Sequence, residues 1–396
     1  METTYFTSMT VNYWAKARVL CKTLKKYNPS RKFVLALSED IPKELDLKKE
    51  PFDRIITIDD LVEIDNKEGF KFKHTITELC TAVKPFIAKF LMKEYKSNVI
   101  YLDPDIAVFD ELNELESFFD KGSILLTPHQ LVPEKEDIYI RENEILFLKR
   151  GTYNFGFFGV KNDDTGRKFL DWWSARLKNY CFDDNYEILP ELSKDGLLGL
   201  FTDQKWADLI PSYFERYYII REPGYNVCTW NLSGRTVKKQ SNGTFYVNDK
   251  PLFFFHFSGY DSGGHAGELN KSLIYYPENK DVKMLSEWYG DILIENEQKK
   301  FEKIPFPKMY YSNGDKINNF ERKIYHIRKD VYKYFPNPYE VTEGFCFYNW
   351  VREEYKQYFE KKDAGNGKMR LRDKLFPKGT FRRKIARKIY RMIVGY

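Results

Sequence analysis

Short apolar runs alternate with amphipathic stretches along most of the chain. Continuous apolar runs predict strands covered on both faces, and they lie at residues 4–7, 32–37, 54–58, 99–102, 123–127, 154–160 and 252–257. Apolar residues at helical spacing predict helices at residues 14–27, 77–95 and 169–177. Pro85 falls inside the second of these helices and predicts a kink or a break there. Strands separated by helices indicate an α/β fold with a mostly parallel, Rossmann-like sheet.

The pattern changes after residue 275, where it becomes helical and loop-like and is interrupted by prolines. We therefore divide the 396-residue chain into a first domain, residues 1–275, and a helical C-terminal region, residues 276–396. At the end of that region, residues 376–396 combine apolar positions at helical spacing with six Lys and Arg residues between 382 and 391. Such a basic amphipathic helix favours binding to an anionic membrane surface over a contact with nucleic acid or docking on the first domain.

Compartment is indicated by the cysteines and by the lack of sorting signals. The five cysteines are odd in number and none has the spacing of a metal site, so we expect free thiols in a reducing compartment. The N-terminus shows no secretory signal, and no apolar run approaches the roughly 20 residues of a spanning helix. We expect a cytoplasmic protein that is peripheral at the inner face of the cell membrane.

Candidate chemistry begins at Asp103-Pro-Asp105, directly after the predicted strand 99–102. Open α/β sheets place their ligands at the carboxyl ends of strands, and a carboxylate pair there suits a hard divalent cation that also takes phosphate oxygens. The alternative is an acidic turn that starts a helix. His256 follows another apolar run and precedes a Gly-rich turn, which predicts a third ligand, although a core histidine is the alternative.

The segment Tyr101-Leu-Asp-Pro-Asp-Ile106 resembles the DxD motif of GT-A glycosyltransferases. The resemblance is to bacterial enzymes of capsule, O-antigen and other surface polysaccharides, and more distantly to the glycogenin-like family 8. It spans residues 1–265, although the Lys of the family 8 signature after the late His is missing. Further similar segments follow in the expected order: Phe6-Thr7, Asn12–Arg18, Glu78–Phe86, Leu126–His129, Asn154–Gly159, Asp203-Gln204 and His256–Gly259.

This resemblance implies a GT-A fold and a metal-dependent hexosyltransferase. The donor would be a nucleoside-diphosphate sugar, a UDP-sugar, with Mn²⁺ or Mg²⁺, and the acceptor a growing lipid-linked glycan or other oligosaccharide of the bacterial surface. Asp103, Asp105 and His256 would hold the metal. Asp203 and Gln204 would be catalytic, near the anomeric carbon of the donor, which favours retention of configuration. The residues expected to contact the donor are Thr7, Arg18, Lys84, Asp103 and Asn154.

Two other classes of protein stay open. A nucleotidyltransferase, or another sugar-nucleotide enzyme, would use the same Asp pair, but its usual Gly-rich loop is missing from Thr7–Asn12. A non-catalytic glycan-binding protein would not need carboxylates and a histidine at several strand ends. Single residues also have structural alternatives, such as a solvated helix face for Arg18 and Lys84, a helix N-cap for Asp203, and turns for Asn226 and Asn231 near the expected acceptor.

Overall fold

The computed structural model describes residues 2–183 and 199–360. The amphipathic segment predicted at residues 376–396 lies outside these residues. Within them, every helix is too short or too polar to span a bilayer.

The strands match all seven predicted apolar runs and include five further short ones that the pattern did not predict, at residues 106–108, 217–219, 237–239, 245–247 and 250–251. In chain order they are β1 (Thr3–Met9), β2 (Lys32–Leu37), β3 (Arg54–Thr57), β4 (Asn98–Leu102), β5 (Ile106–Val108), β6 (Ile124–Pro128), β7 (Tyr153–Val160), β8 (Tyr217–Ile219), β9 (Val237–Lys239), β10 (Phe245–Val247), β11 (Lys250–Pro251) and β12 (Phe254–His256). β1, β4 and β7 are buried along their whole length, which explains why their sequences are apolar on both faces.

The helices surround the sheet and form the C-terminal region. In chain order they are α1 (Trp14–Tyr27), α2 (Lys67–Lys73), α3 (Ile76–Ala82), α4 (Lys84–Tyr95), α5 (Asn113–Ser117), α6 (Asp137–Tyr139), α7 (Ile145–Arg150), α8 (Asp164–Tyr180), α9 (Ile210–Tyr213), α10 (Gly264–Tyr275), α11 (Val282–Glu295), α12 (Gln298–Phe301), α13 (Asn319–Ile327) and α14 (Phe347–Glu354). A π-helical turn, Ile140–Glu144, joins α6 to α7.

The central sheet has seven strands in the order β3-β2-β1-β4-β7-β6-β8. β7 is antiparallel to both of its neighbours, and all the other pairs are parallel. The predicted α/β class and mostly parallel sheet are therefore confirmed. Because β7 is reversed, its first residues lie at the same edge of the sheet as the carboxyl ends of β4 and β6. Asn154, the second residue of β7, therefore lies at the edge where Asp103 follows β4 and His129 follows β6.

The predicted break at Pro85 divides one amphipathic stretch into α3 and α4, with Val83 between them. Proline is tolerated in the first turn of a helix, where its missing N–H has no partner to lose. A capping box from Thr75 and Glu78 starts α3. The break makes Lys84 the first residue of α4, and its side chain is buried although it is charged.

The described residues after the predicted boundary pack mainly into two cores, while Phe301 and Phe306 pack into two others. Val282, Leu285 and Tyr289 of α11 share a buried cluster with Ala15 and Val19 of α1. An aromatic cluster instead joins α13 and α14 to Phe72 of α2, and a buried ion pair between Lys323 and Glu78 links α13 to α3. The helical C-terminal region is present as predicted, and the boundary near residue 275 stays a prediction.

Candidate active site

The two carboxylates of the Asp-Pro-Asp motif project from a tight turn at the end of β4. The N–H of Ile106 donates to the carbonyl of Asp103 at 3.0 Å, which closes the turn, and Pro104 supplies the restricted φ favoured at its second position. The N–H of Asp103 donates to the carbonyl of Gly156 on β7 at 2.7 Å. The hydroxyl of Tyr101 donates to Asp103 Oδ1 at 2.6 Å. Backbone and side chain therefore both orient Asp103 before any ligand binds.

His256 reaches this turn through a short antiparallel pair formed by β12 and β5. The register places His256 opposite Ile106, one residue after Asp105. His256 Nε2 lies 3.1 Å from Asp105 Oδ1 and 3.7 Å from Asp103 Oδ2. The imidazole fits against β7 only because residue 156 is glycine, since a Cβ there would lie 2.5 Å from His256 Cε1.

Charges around Asp105 favour its ionised form. Burial opposes ionisation, but His256 and Lys16 outweigh it and lower the pKa of Asp105 to about 2. Burial also opposes protonation of His256, yet the adjacent carboxylate of Asp105 raises its pKa. Lys16 is itself buried and forms an ion pair with Asp261, whose Oδ2 lies 2.5 Å from its Nζ.

Asp103, Asp105 and His256 fit a divalent cation. One ligand atom from each lies within 4.8 Å of the others. Two carboxylate oxygens and one imidazole nitrogen suit Mn²⁺ or Mg²⁺, which would complete its shell with water or phosphate oxygens. The side chain of Asp103 is 27% exposed, so the group is open to a ligand on that side. His256 Nδ1 is buried without a hydrogen-bond partner among the described residues.

Lys84 connects the metal group to Asp203. Its Nζ lies 2.9 Å from Asp203 Oδ2 and 3.6 Å from Asp103 Oδ1, and it donates to the carbonyl of Phe155 at 2.9 Å. Burial opposes protonation, but the charges of Asp203 and Asp103 raise the pKa of Lys84. Because Lys84 and Asp203 are almost completely buried, the lysine compensates a carboxyl group that water does not reach, and its charge also reduces the repulsion between Asp203 and Asp103.

Asp203 follows a strained residue. Thr202 has φ of 45°, a left-handed conformation that is uncommon for a β-branched side chain, and its hydroxyl donates to Asp203 Oδ1. Burial raises the pKa of Asp203, and Lys84 opposes that change. Strain next to a buried, perturbed carboxylate is typical of functional sites, although structural ion pairs also perturb pKa values.

Asn154 and Gln204 form the adjoining side of the site. Asn154 Oδ1 accepts from the N–H of Gly156 and from Asn226 Nδ2, and its own Nδ2 lies 3.3 Å from His129 Nε2. Gln204 Oε1 accepts from the N–H of Phe155, and its Nε2 donates to the carbonyl of Arg150. These amides fix the start of β7 relative to the segment that precedes it.

The two remaining predicted donor contacts have different surroundings. Thr7 lies in the middle of β1, fully buried, with its hydroxyl unpartnered among the described residues. The guanidinium of Arg18 binds Glu50 through two hydrogen bonds and Glu297 through a third. The structure therefore gives Arg18 a role in tying α1 to the loop before β3 and to the end of α11, and does not place it with the metal group.

Three side chains near the site were missed by the sequence pattern: Lys16, His129 and Asp261. Lys16 lies within the segment Asn12–Arg18 but was not selected as a site residue, although its position at the start of the first helix after a parallel strand was an available signal. His129 follows β6 at the edge where the other ligands lie, and this strand-end position also marks it. Asp261 lies in the Gly-rich turn after His256, where proximity to Lys16 could not be read from spacing.

Together, fold and site define an α/β protein with a candidate divalent-cation centre at the carboxyl edge of its sheet. No protein-family model matches the chain. It is similar to the uncharacterized protein YfnF of Bacillus subtilis (strain 168), with 28% identity over 271 residues that make up 66% of this chain and 82% of YfnF. YfnD of the same strain is 24% identical over 209 residues, 52% of this chain and 61% of YfnD.

Several solved structures are similar at low sequence identity. Galactosyltransferase LgtC, in complex with donor and acceptor sugar analogs, has a TM-score of 0.43 and 12% identity, covering 77% of this chain and 98% of that one. Mouse xyloside xylosyltransferase 1 has a TM-score of 0.39 and 15% identity, covering 65% of this chain and 98% of that one. Glycosyltransferase GlyE of Streptococcus pneumoniae TIGR4 has a TM-score of 0.38 and 16% identity, covering 78% of this chain and 67% of that one. At such low TM-scores, the function proposed below rests on the side chains of this chain.

Proposed function

We propose that this protein is a metal-dependent glycosyltransferase that transfers a hexose-type sugar from a nucleoside-diphosphate sugar, a UDP-sugar, to a glycan acceptor. The observation that supports it is the group formed by Asp103, Asp105 and His256, at the sheet edge where open α/β folds bind ligands. A cavity bordered by Asn154 and Gln204 adjoins this group and offers space for sugars. The order of the DxD, Asn154 and Asp203 segments along the chain agrees with the same class.

When bound, the cation supplies positive charge that stabilises the departing diphosphate. The chain's own residues would prepare the site for it. The turn at Pro104 and the hydroxyl of Tyr101 set the direction of the Asp103 carboxylate. Lys84 lies 2.9 Å from Asp203 and 3.6 Å from Asp103, so its positive charge is already in place beside both carboxyl groups when charge develops during transfer.

We also propose that transfer retains the anomeric configuration, which is supported by the Asp203-Gln204 resemblance. In the structure Asp203 is held by Lys84 and Gln204 borders the cavity. Gln204 would thus contact the sugar, and Asp203 would position Lys84 and the backbone around it. NMR of the anomeric proton of the product tests this part, and inversion would contradict it.

A lipid-linked acceptor of a bacterial surface glycan is proposed from the resemblance and from the basic segment 376–396. Six cationic residues at about 1 kcal/mol each near an anionic surface would hold a peripheral protein there. The protein would then work at the inner face of the cell membrane, where such acceptors are exposed.

Thermal denaturation with UDP-sugars, with and without Mn²⁺, tests the central proposal. Binding at 100 times Kd adds about 2.7 kcal/mol to the free energy of unfolding, so the melting temperature should rise more with sugar nucleotide and metal together than with either of them alone. Asp103→Asn and Asp105→Asn should each abolish this rise and the metal-dependent hydrolysis of the donor. Asp164→Asn is the matched control, because that carboxylate is exposed at the start of α8.

The products distinguish the classes of enzyme. Release of UDP and free sugar supports a glycosyltransferase, whereas release of pyrophosphate from UTP and a sugar phosphate supports a nucleotidyltransferase. Unchanged turnover in both Asp variants would refute the metal assignment.

A further inference from the structure

A cavity of about 650 Å³ opens beside the candidate active site. It is bordered by Asn154 and Gln204 and by Ser258, two residues after His256. Its size lies within the range of small-molecule pockets. Asn154 and the ring of His256 both approach Gly156, so this border of the cavity lies close to the metal group.

One wall of this cavity is aromatic. The rings of His129 and Phe147 stack with centroids 4.4 Å apart and planes at 11°, and Trp230 lies 5.2 Å from His129. Burial lowers the pKa of His129 to about 4, so this ring is neutral at pH 7. Buried Asn143 donates to the carbonyl of Trp230 and to Glu134, which fixes the wall. Neutral aromatic faces with polar neighbours suit a sugar ring.

The cavity is also lined by two basic residues, Lys149 and Arg150, at the end of α7. The other two cations that line it are compensated, since Lys271 pairs with Glu142 and Glu268, and Arg141 pairs with Asp137. Within residues 2–183 and 199–360, Lys149 and Arg150 form no ion pair. As far as the described part of the chain shows, two positive charges without an acidic partner therefore face the space in which an acceptor would lie.

Arg150 is also held in place. Its guanidinium carbon lies 5.1 Å from the ring centre of Phe201, and its carbonyl accepts from Gln204 Nε2 at 3.0 Å. The guanidinium is thus tied through the backbone to a residue at the border of the active site. A prearranged guanidinium binds carboxylate or phosphate with less loss of side-chain entropy than a mobile one.

We propose that this cavity binds the acceptor and that the acceptor carries an anionic group, a carboxylate or a phosphate, which Lys149 and Arg150 bind. That the bound saccharide is an acceptor rests on the proposed glycosyltransferase function. That the cavity binds an anionic saccharide rests on the cavity alone. The alternative is a purely structural role for Lys149 and Arg150, because basic residues at the C-terminus of a helix stabilise the helix through its dipole.

The experiment measures saccharide binding by ligand-observed NMR, without donor and without metal, so that it does not depend on the metal site. The probes are neutral methyl hexosides, each matched with its uronic acid and with its 6-phosphate. Wild-type protein should bind one charged form about tenfold more tightly than the neutral form, since a charge-assisted hydrogen bond changes Kd by about that factor. Preference for the uronic acid indicates an acidic sugar, and preference for the phosphate indicates a phosphorylated or phosphate-linked acceptor.

The double variant Lys149→Met, Arg150→Gln should lose the preference for charge and keep its affinity for the neutral hexosides. Arg141→Gln is the matched control, because it removes a cation of the same cavity that is already paired. Equal binding of charged and neutral probes by the wild type, or no binding of any probe, would overturn the proposal. A double variant that melts earlier but keeps the wild-type preference would assign the two cations to the helix end and also overturn it.

Discussion

The close approach of His256 to β7 makes Gly156→Ala the most informative single substitution. The backbone at residue 156 lies in a strand that any residue tolerates, so alanine brings no backbone strain. The added methyl group instead meets the imidazole, with 2.5 Å to His256 Cε1 and 2.8 Å to Asn154 Oδ1. The perturbation is therefore steric and confined to the candidate metal site.

The size of the effect follows from how far the ring has to move. Ordinary van der Waals contact begins at 3.4 Å, so the imidazole must withdraw by about 0.9 Å. The backbone of His256 resists this, because its N–H donates to the carbonyl of Val227 and the next N–H donates to Asp105. Metal sites tolerate ligand displacements of only about 0.2 Å, so Mn²⁺ affinity should fall about 10- to 100-fold.

The assay is a Mn²⁺ titration followed by electron paramagnetic resonance of the free ion. Gly159→Ala is the control from the same strand, since its methyl group would crowd buried Leu125, at 3.0 Å from Cδ1 and 3.1 Å from Cβ, and would not meet His256. It should leave Mn²⁺ affinity unchanged. In a double-mutant cycle with His256→Ala, Gly156→Ala should add little, because both remove the same ligand.

Mn²⁺ affinity of Gly156→Ala within a factor of about two of the wild type would refute this reasoning. It would mean that the imidazole does not ligate the ion, or that the site adapts more easily than its hydrogen bonds indicate. A fall in affinity with an equal fall for Gly159→Ala would instead assign the effect to the strand as a whole.

Three further predictions address the buried charges and the C-terminal segment. Lys84→Met leaves buried Asp203 unpaired and should lower the free energy of unfolding by about 3–5 kcal/mol, measured with urea, whereas adding Asp203→Asn should restore part of it. Burial holds the pKa of His326 well below its ordinary value, so the unfolded chain takes up a proton below about pH 6.5 that the folded protein refuses, and stability is lost as pH falls. His326→Phe should therefore reduce the loss of unfolding free energy between pH 6.5 and 5 by about 1.6 kcal/mol in total, and an unchanged slope would contradict this. Deletion of residues 376–396 should release the protein from anionic liposomes while donor hydrolysis continues, and sedimentation with the liposomes after deletion would count against the anchor.

The sequence pattern predicted the strands of the central sheet well, because a strand covered on both faces must be apolar throughout. An apolar run does not show whether the strand is parallel or antiparallel to its neighbours. β7 reads as an apolar run with two glycines, and nothing in that run shows that it is reversed relative to β4. Nothing in that run shows either that residue 156 must be glycine because the ring of His256 packs against it.

Side-chain partners were harder to predict than strand ends. Asp103, Asp105 and His256 were selected because they follow apolar runs, and the fold brings them together. Lys16 and Arg18 are two residues apart in α1 and therefore lie on nearly opposite faces of the helix. Arg18 binds Glu50 and Glu297, while Lys16 binds Asp261 near the metal group. These partners lie in segments far away along the chain, so helical periodicity could not identify them.

The antiparallel pair of β5 and β12 has a consequence for synthesis of the chain on the ribosome. Asp105 emerges long before His256, and elongation at about 5–20 residues per second separates them by roughly 8–30 s. During that interval the growing polypeptide carries the acidic pair without its imidazole and without the strand that covers β5. The three candidate metal ligands can therefore come together only after most of the polypeptide has been made.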